Sequence, residues 1–209
     1  MARKDTKQRI LDAAEVLFAE QGFGDTSLRR ITRAANVNLA SVNYHFGSRK
    51  DLIKAVMDRY FGLFMPAVNE ALVRLLEQPR LTVEQVFECF VAPLMGLSRL
   101  RARGPEIFLQ LLGGGYMDNQ GFLRWFIINH YGEVVEHFIQ CMRRAAPALS
   151  SAELFWRLHF TLGTVVFTMA SSEALRDIAR NDFNEHIDVE GLVRKVIPYL
   201  ASGMEARTD

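Results

Sequence analysis

TSLRRITRAANVNLASVNYHFGSRK, Thr26 to Lys50, is the stretch on which the reading of this chain turns. Two short helical patterns flank a polar turn. The first runs from Ser27 to Ala35, with Leu28, Ile31 and Ala35 at helical spacing on one face and Arg29, Arg30 and Arg33 on the other. Asn36-Val37-Asn38 forms the turn, and Asn38 stands where its side-chain oxygen caps a second helix from Leu39 to Phe46. Gly47 suits the left-handed conformation that ends it. Val37, Val42 and Phe46 are expected to face the core. Leu39, Ala40, Ser41, Asn43, Tyr44 and His45 are left outward, a shallow face of small, amide and hydroxyl groups that fits a major groove without clashing. This is the pattern of a helix-turn-helix, a device for reading double-stranded DNA.

The surrounding composition is compatible with that device. The net charge of the 209 residues is only +1, but residues 1–55 carry +4 and the remainder −3. A basic head on a mildly acidic body is expected where phosphate neutralisation supplies affinity and a separate domain does other work. The pattern is helical throughout, with no alternating run that would make a strand. Thr6 to Gln21 reads as an amphipathic helix ending at Gly22, followed by Phe23 as an apolar plug. Ser48 to Asp51 reads as a capping box opening a long helix that passes Pro66. Further helices are expected at about Val83 to Leu97 with a bend near Pro93, and at about Pro105 to Leu112, ended by Gly113-Gly114-Gly115. Others are expected at about Gln120 to Arg144, Ala152 to Ile178 and Val189 to Ser202, the last ended by Gly203 with a frayed charged tail.

The order of these features resembles the TetR family of bacterial transcriptional repressors. The likeness rests on the capped first helix, the Gly22-Phe23 corner, Thr26-Ser27-Leu28, the Asn36-Val37-Asn38 turn, Tyr44-His45-Phe46 and Ser48-Arg49-Lys50-Asp51-Leu52. It implies an all-α fold: a three-helix DNA-binding head, residues 1–47, and a larger helical ligand-binding and dimerisation domain, residues 48–209, joined by the helix from 48. It also implies a homodimer formed through the last two long helices. By position, Arg29, Leu39, Ala40, Ser41 and Asn43 match residues that face bases, while Thr26 or Ser27, Tyr44, His45 and Lys50 match residues that hold phosphates. Asn43 stands where an aromatic residue is common, and its amide can pair bidentately with adenine. Tyr44 has a second reading, half-buried packing under the motif.

The body holds most of the fifteen Phe and eight Met and both Trp, Trp125 and Trp156, material for a core or for a pocket wall. Glu153 to Phe160 and Val196 to Met204 look similar to the fatty-acid-responsive branch of the family, which implies a long-chain fatty acid or acyl-CoA as effector. Trp125, Trp156, Arg157, His159 and Phe160 are the candidate ligand residues, with Arg157 either at a pocket or paired with Glu133 or Glu136. His130, Glu133 and His137 share a helical face but lack the second ligand set of a metal centre, so no metal is expected. Cys89 and Cys141 have neither metal nor redox spacing. No nucleophile elbow or phosphate-cradling loop appears, so no catalytic residue and no cofactor is expected. MARKDTKQR lacks the apolar segment of a signal peptide, and Leu158 to Ala170 is too short and polar to span a bilayer. The expectation is a cytoplasmic regulator without a membrane partner, bound to a palindromic operator and a small hydrophobic effector. The alternative class is a helical lipid carrier or enzyme with a non-functional head.

Overall fold

Side-chain caps set the helix starts at Leu28, Leu39 and Arg49, whereas the first helix, expected to be capped, starts at Thr6 with no side-chain cap from Asp5. Ser27 accepts from the Arg30 amide, Asn38 from the Ser41 amide and Ser48 from the Asp51 amide, each satisfying a donor that a helix start leaves free. The computed structural model describes residues 5–207, and the side chains of 5–116 and 123–207 within them. Met1 to Lys4 of the N-terminal reading and the last two residues of the tail lie outside the described residues. The helices are α1 (Thr6–Asp25), α2 (Leu28–Ala35), α3 (Leu39–Phe46), α4 (Arg49–Leu76), α5 (Val83–Glu88), α6 (Val91–Gly96), α7 (Gly104–Ala145), α8 (Ser151–Ala170), α9 (Ser172–Phe183) and α10 (Val189–Glu205). No strand occurs among the described residues.

α2 and α3 pack on α1 and α4, and α4 then carries the chain into the body. There α7, at 42 residues, is the spine against which α1, α4, α5 and α8 rest, while α10 lies on α5 and α8. One core runs through both regions, from Ile10, Phe18, Ile31, Val42 and Leu52 to Phe61, Phe64, Phe108 and Phe126. Burying each such side chain is worth about 1.5–3 kcal/mol. The large rings of the body lie against one another: Phe61 has Phe108, Phe126 and Tyr131 at centroid distances of 5.2, 5.6 and 5.8 Å.

Several boundaries differ from the sequence expectation, each for a packing reason. Gly113 to Gly115 do not end a helix; α7 runs through them. A side chain at Gly113 would begin 2.6 Å from the Ala170 Cβ, and one at Gly115 would begin 3.0 Å from the Phe23 ring. These glycines are where the spine is crossed closely, a demand that outweighs their poor helix propensity. The bend expected near Pro93 falls earlier, at Cys89 and Phe90, because proline is tolerated in the first turn of α6. The single helix expected over Ala152 to Ile178 divides at Ser171 into α8 and α9. At the chain's end α10 passes Gly203 and reaches Glu205, since Arg157 collects its last carbonyls. Ser48 and Asp51 close only half a capping box, because the Asp51 carboxylate accepts from the Ser48 hydroxyl and not from its backbone amide.

Head and body also meet through charge. Glu15 of α1 is fully buried, its carboxylate 2.5 Å from Arg59 of α4 and 2.8 Å from Arg101 before α7. Asp12 reaches the same two guanidinium groups at 2.9 and 3.3 Å. Burial opposes the charge on Arg59, but Glu15 and Asp12 outweigh it and raise its pKa. A buried ion left alone costs several kcal/mol, so these four must keep together.

Candidate nucleic-acid interface

The corner before α2 is set by Gly22, whose φ of 78° and ψ of 168° fall in a region open essentially to glycine. Thr26 fixes the corner from the other side. Its hydroxyl donates to the carbonyls of Leu17 at 3.1 Å and Gly22 at 2.8 Å, and the side chain is buried. This corrects the expectation of a phosphate contact from Thr26; its hydroxyl is already used, and Ser27, exposed at the α2 cap, is the one left at the surface.

The turn between α2 and α3 is held by the Asn38 cap that was expected and by two devices that were not. Asn36 takes the left-handed conformation, φ 51°, and the Asn38 side-chain oxygen accepts from the Ser41 amide at 2.8 Å and its hydroxyl at 2.9 Å. The Arg9 guanidinium of α1 donates to the carbonyls of Ala35, at 3.1 and 2.6 Å, and Asn36, at 2.6 Å. A permanent cation on the carbonyl end of α2 satisfies orphan acceptors and favours the helix dipole. Arg49 similarly donates to the Thr26 carbonyl at 3.4 and 3.3 Å. Neither arginine was marked in the sequence, since partners 26 and 23 residues away leave no local spacing to read.

With Val42 buried beneath it, α3 presents Leu39, Ala40, Asn43 and Tyr44 to solvent and keeps Ser41 and His45 half-buried. Tyr44 is 86% exposed, so packing under the motif is excluded, and its ring meets the His45 edge at a centroid distance of 5.0 Å. On α2, Arg29, Arg30 and Arg33 are exposed. Lys50 stands in the first turn of α4, where amide groups and the helix dipole favour an anion. Exposed cations and hydroxyls thus surround the outward face of α3, an arrangement compatible with a helix that enters a major groove.

Comparison with known proteins agrees in fold and in chemistry. The profile described as Bacterial regulatory proteins, tetR family, matches residues 10–56, and the profile Tetracyclin repressor-like, C-terminal domain, matches residues 88–203. The chain belongs to the TetR family. The HTH-type transcriptional regulator SrpR of Pseudomonas putida is 26% identical over 151 residues, which cover 69% of this chain and 66% of that one. TtgW, also an HTH-type transcriptional regulator of Pseudomonas putida, is 27% identical over 140 residues, 67% of this chain and 93% of that one. Among solved structures, the fatty acid degradation regulator FadR of Bacillus halodurans superposes with a TM-score of 0.60 at 15% identity, covering 99% and 100% of the two chains. At that identity the likeness is one of fold. This TetR-family chain is a regulator and not an enzyme, which removes the enzyme alternative.

In the body of this TetR-family chain the five candidate ligand residues do not gather around one space. Arg157 is buried; it pairs with Glu153 at 2.7 Å, not with Glu133 or Glu136, and donates to the carbonyls of Gly203, Met204 and Ala206 at 3.3, 2.9 and 2.6 Å. It closes the end of α10. Trp156, His159 and Phe160 turn away from it on the outward face of α8, and the His159 ring nitrogen meets the Phe155 carbonyl at 2.7 Å. Trp125 is on α7 with the Lys50 ammonium 5.8 Å from its ring centroid, at cation–π distance. His130 and His137 also go separate ways, to the Phe126 carbonyl at 2.9 Å and the Asn69 side-chain oxygen at 2.8 Å. Among the described residues no group of three or more donors could hold a metal ion, and no helix is long and apolar enough to cross a membrane. Burial pushes the Cys89 thiol up to about 11, so it stays protonated and unreactive near neutrality.

Proposed function

We propose that the chain is a dimeric, ligand-responsive repressor that holds a palindromic operator in the cytoplasm and lets it go when a hydrophobic effector occupies the body. The head is residues 1–47 and the body 48–209. Ser27, Tyr44, His45 and Lys50 hold phosphates, and Arg29, Leu39, Ala40, Ser41 and Asn43 address bases. Supporting this reading is a second bare surface. On α8, Phe155, Trp156, Phe160 and Phe167 stand 48%, 55%, 65% and 66% exposed, and Tyr199 of the adjacent α10 is exposed as well. An apolar stripe of this size is what an isologous dimer buries. Joining two copies through α8 and α10 sets two α3 helices on one duplex, with half-sites about 34–36 Å apart.

The effector class proposed for the first trial is a long-chain fatty acid or its acyl thioester, lodged among the aromatic rings that α4 and α7 bring together. Occupation favours release only if the effector binds a head arrangement unsuited to DNA more tightly than the suited one. A gel shift of the chain on its own upstream DNA, with and without long-chain acyl compounds, is the test. A specific complex at moderate salt that acyl compounds dissolve is expected. Absence of any specific complex overturns the repressor reading, and a complex indifferent to acyl compounds overturns the effector class.

A further inference from the structure

Trp125 of α7 is a large apolar side chain left half-exposed, although Leu123 and Phe126 beside it in the chain are buried. Packing in the body does not account for its ring. What the ring meets belongs to the rim of the head: the Lys50 ammonium lies 5.8 Å from its centroid. Lys50 is exposed in the first turn of α4, at the position assigned above to an operator phosphate. We propose that Trp125 is a positioning residue of the DNA interface, its ring holding the Lys50 ammonium where a phosphate will take it.

The platform under the ring is firm. Leu123 and Phe23 both abut Gly115, where α7 crosses the end of α1; a Cβ there would begin 3.4 Å from the one and 3.0 Å from the other. On the far side the Asn129 amide donates to the Trp125 carbonyl at 2.7 Å, and the His130 ring meets the indole at 74° with centroids 5.9 Å apart. Lys50 has the opposite character, a compact charge on a flexible four-carbon stem with many rotamers. A phosphate contact must freeze that stem, and a ring that gathers the ammonium beforehand removes part of the cost. A ring suits the task better than a carboxylate would. It attracts the cation through its quadrupole and carries no net charge, so the lysine keeps its full charge for the phosphate. The attraction is also weaker than the charge-assisted bond that follows, so the ring guides the ammonium without holding it back. The DNA interface thereby takes in one turn of the body's spine, well outside the helix-turn-helix.

The inference rests on the phosphate role given to Lys50 in the repressor reading, and a double-mutant cycle separates the two. The anisotropy of a labelled upstream duplex and of an unrelated duplex is read with the full chain. Lys50→Gln is expected to weaken both duplexes by a similar factor, because a phosphate contact carries no sequence information. Trp125→Leu is expected to weaken both by about 2- to 10-fold for each head, and Trp125→Phe, which keeps a ring, by less. Added to Lys50→Gln, Trp125→Leu is expected to change nothing further. The cycle cancels any loss common to both backgrounds, so a partly destabilised Leu variant still decides. Wild-type affinity in Trp125→Leu, a Phe variant no better than Leu, or an undiminished Trp125→Leu effect in the Lys50→Gln background overturns the positioning role. Wild-type affinity in Lys50→Gln overturns the phosphate role instead, and a chain that binds no DNA sinks the repressor reading; either takes the inference with it.

Discussion

Asn43 is the most individual residue of the reading face, exposed on α3 between two residues, Val42 and Tyr44, that point to opposite fates. Its amide can accept and donate on one adenine edge, so Asn43→Ala should lower operator affinity by about 1–3 kcal/mol and flatten sequence preference. Binding to unrelated DNA should hardly change, because phosphate contacts remain; competition gel shifts with the two duplexes separate these effects. Gly22 carries a different kind of information. With φ 78° and ψ 168° it has no non-glycine substitute, and Gly22→Ala is expected to cost about 1–3 kcal/mol, seen as a lower melting temperature. Tyr60 governs behaviour in base. Burial first, and then the negative charge of Glu15, hold its phenol well above the ordinary range. The folded-state pKa is raised, so the stabilisation is complete below about pH 10 and is lost as pH rises past it, when the unfolded chain gives up the proton first. Denaturant melts above that pH should show wild type losing stability more steeply than Tyr60→Phe, by up to about 1.4 kcal/mol per pH unit.

Among the elements, α10 depends on a side chain from another helix. Arg157 supplies its last turn with a charged donor, and Arg157→Gln is expected to destabilise the chain by about 1.5–3 kcal/mol, with Arg157→Lys recovering part of it; thermal melts give both numbers. The head's elements were legible because their signals are local: a cap at Asn38, a left-handed residue at Gly47 and an apolar face repeat within a few residues. Gly113 to Gly115 misled for the complementary reason. Their role is set by Phe23 and Ala170, distant in the chain, and a glycine run looks the same whether it ends a helix or lets another backbone approach. Thr26 was read as a surface hydroxyl on the same ground, since only the folded corner brings the Leu17 and Gly22 carbonyls to it. Arg157 was expected at a pocket or beside Glu133 or Glu136; its actual partner Glu153 stands at i,i+4, a spacing the sequence does show. The α10 carbonyls it also meets are 46 or more residues away and leave no local signal. Spacing names the residues of a face; it does not name what the face meets.

At the level of the whole molecule, α8 faces two ways at neighbouring positions, Arg157 inward and Trp156 outward. Changing the outward side should alter association without altering the fold. Phe160→Asp, at a position 65% exposed, is expected to keep its helical circular dichroism, sediment as a monomer and bind the operator far more weakly, since each head then holds a half-site alone. A variant that sediments as wild type would place the dimer contact elsewhere. The bare stripe also bears on abundance. In the proposed dimer two separate chains must meet before a full operator is held, so at low expression the paired form would rise with the square of the number of copies made. Halving the supply of this chain would therefore release its target genes by more than half, and a cell could tune repression through gene dosage with no effector present.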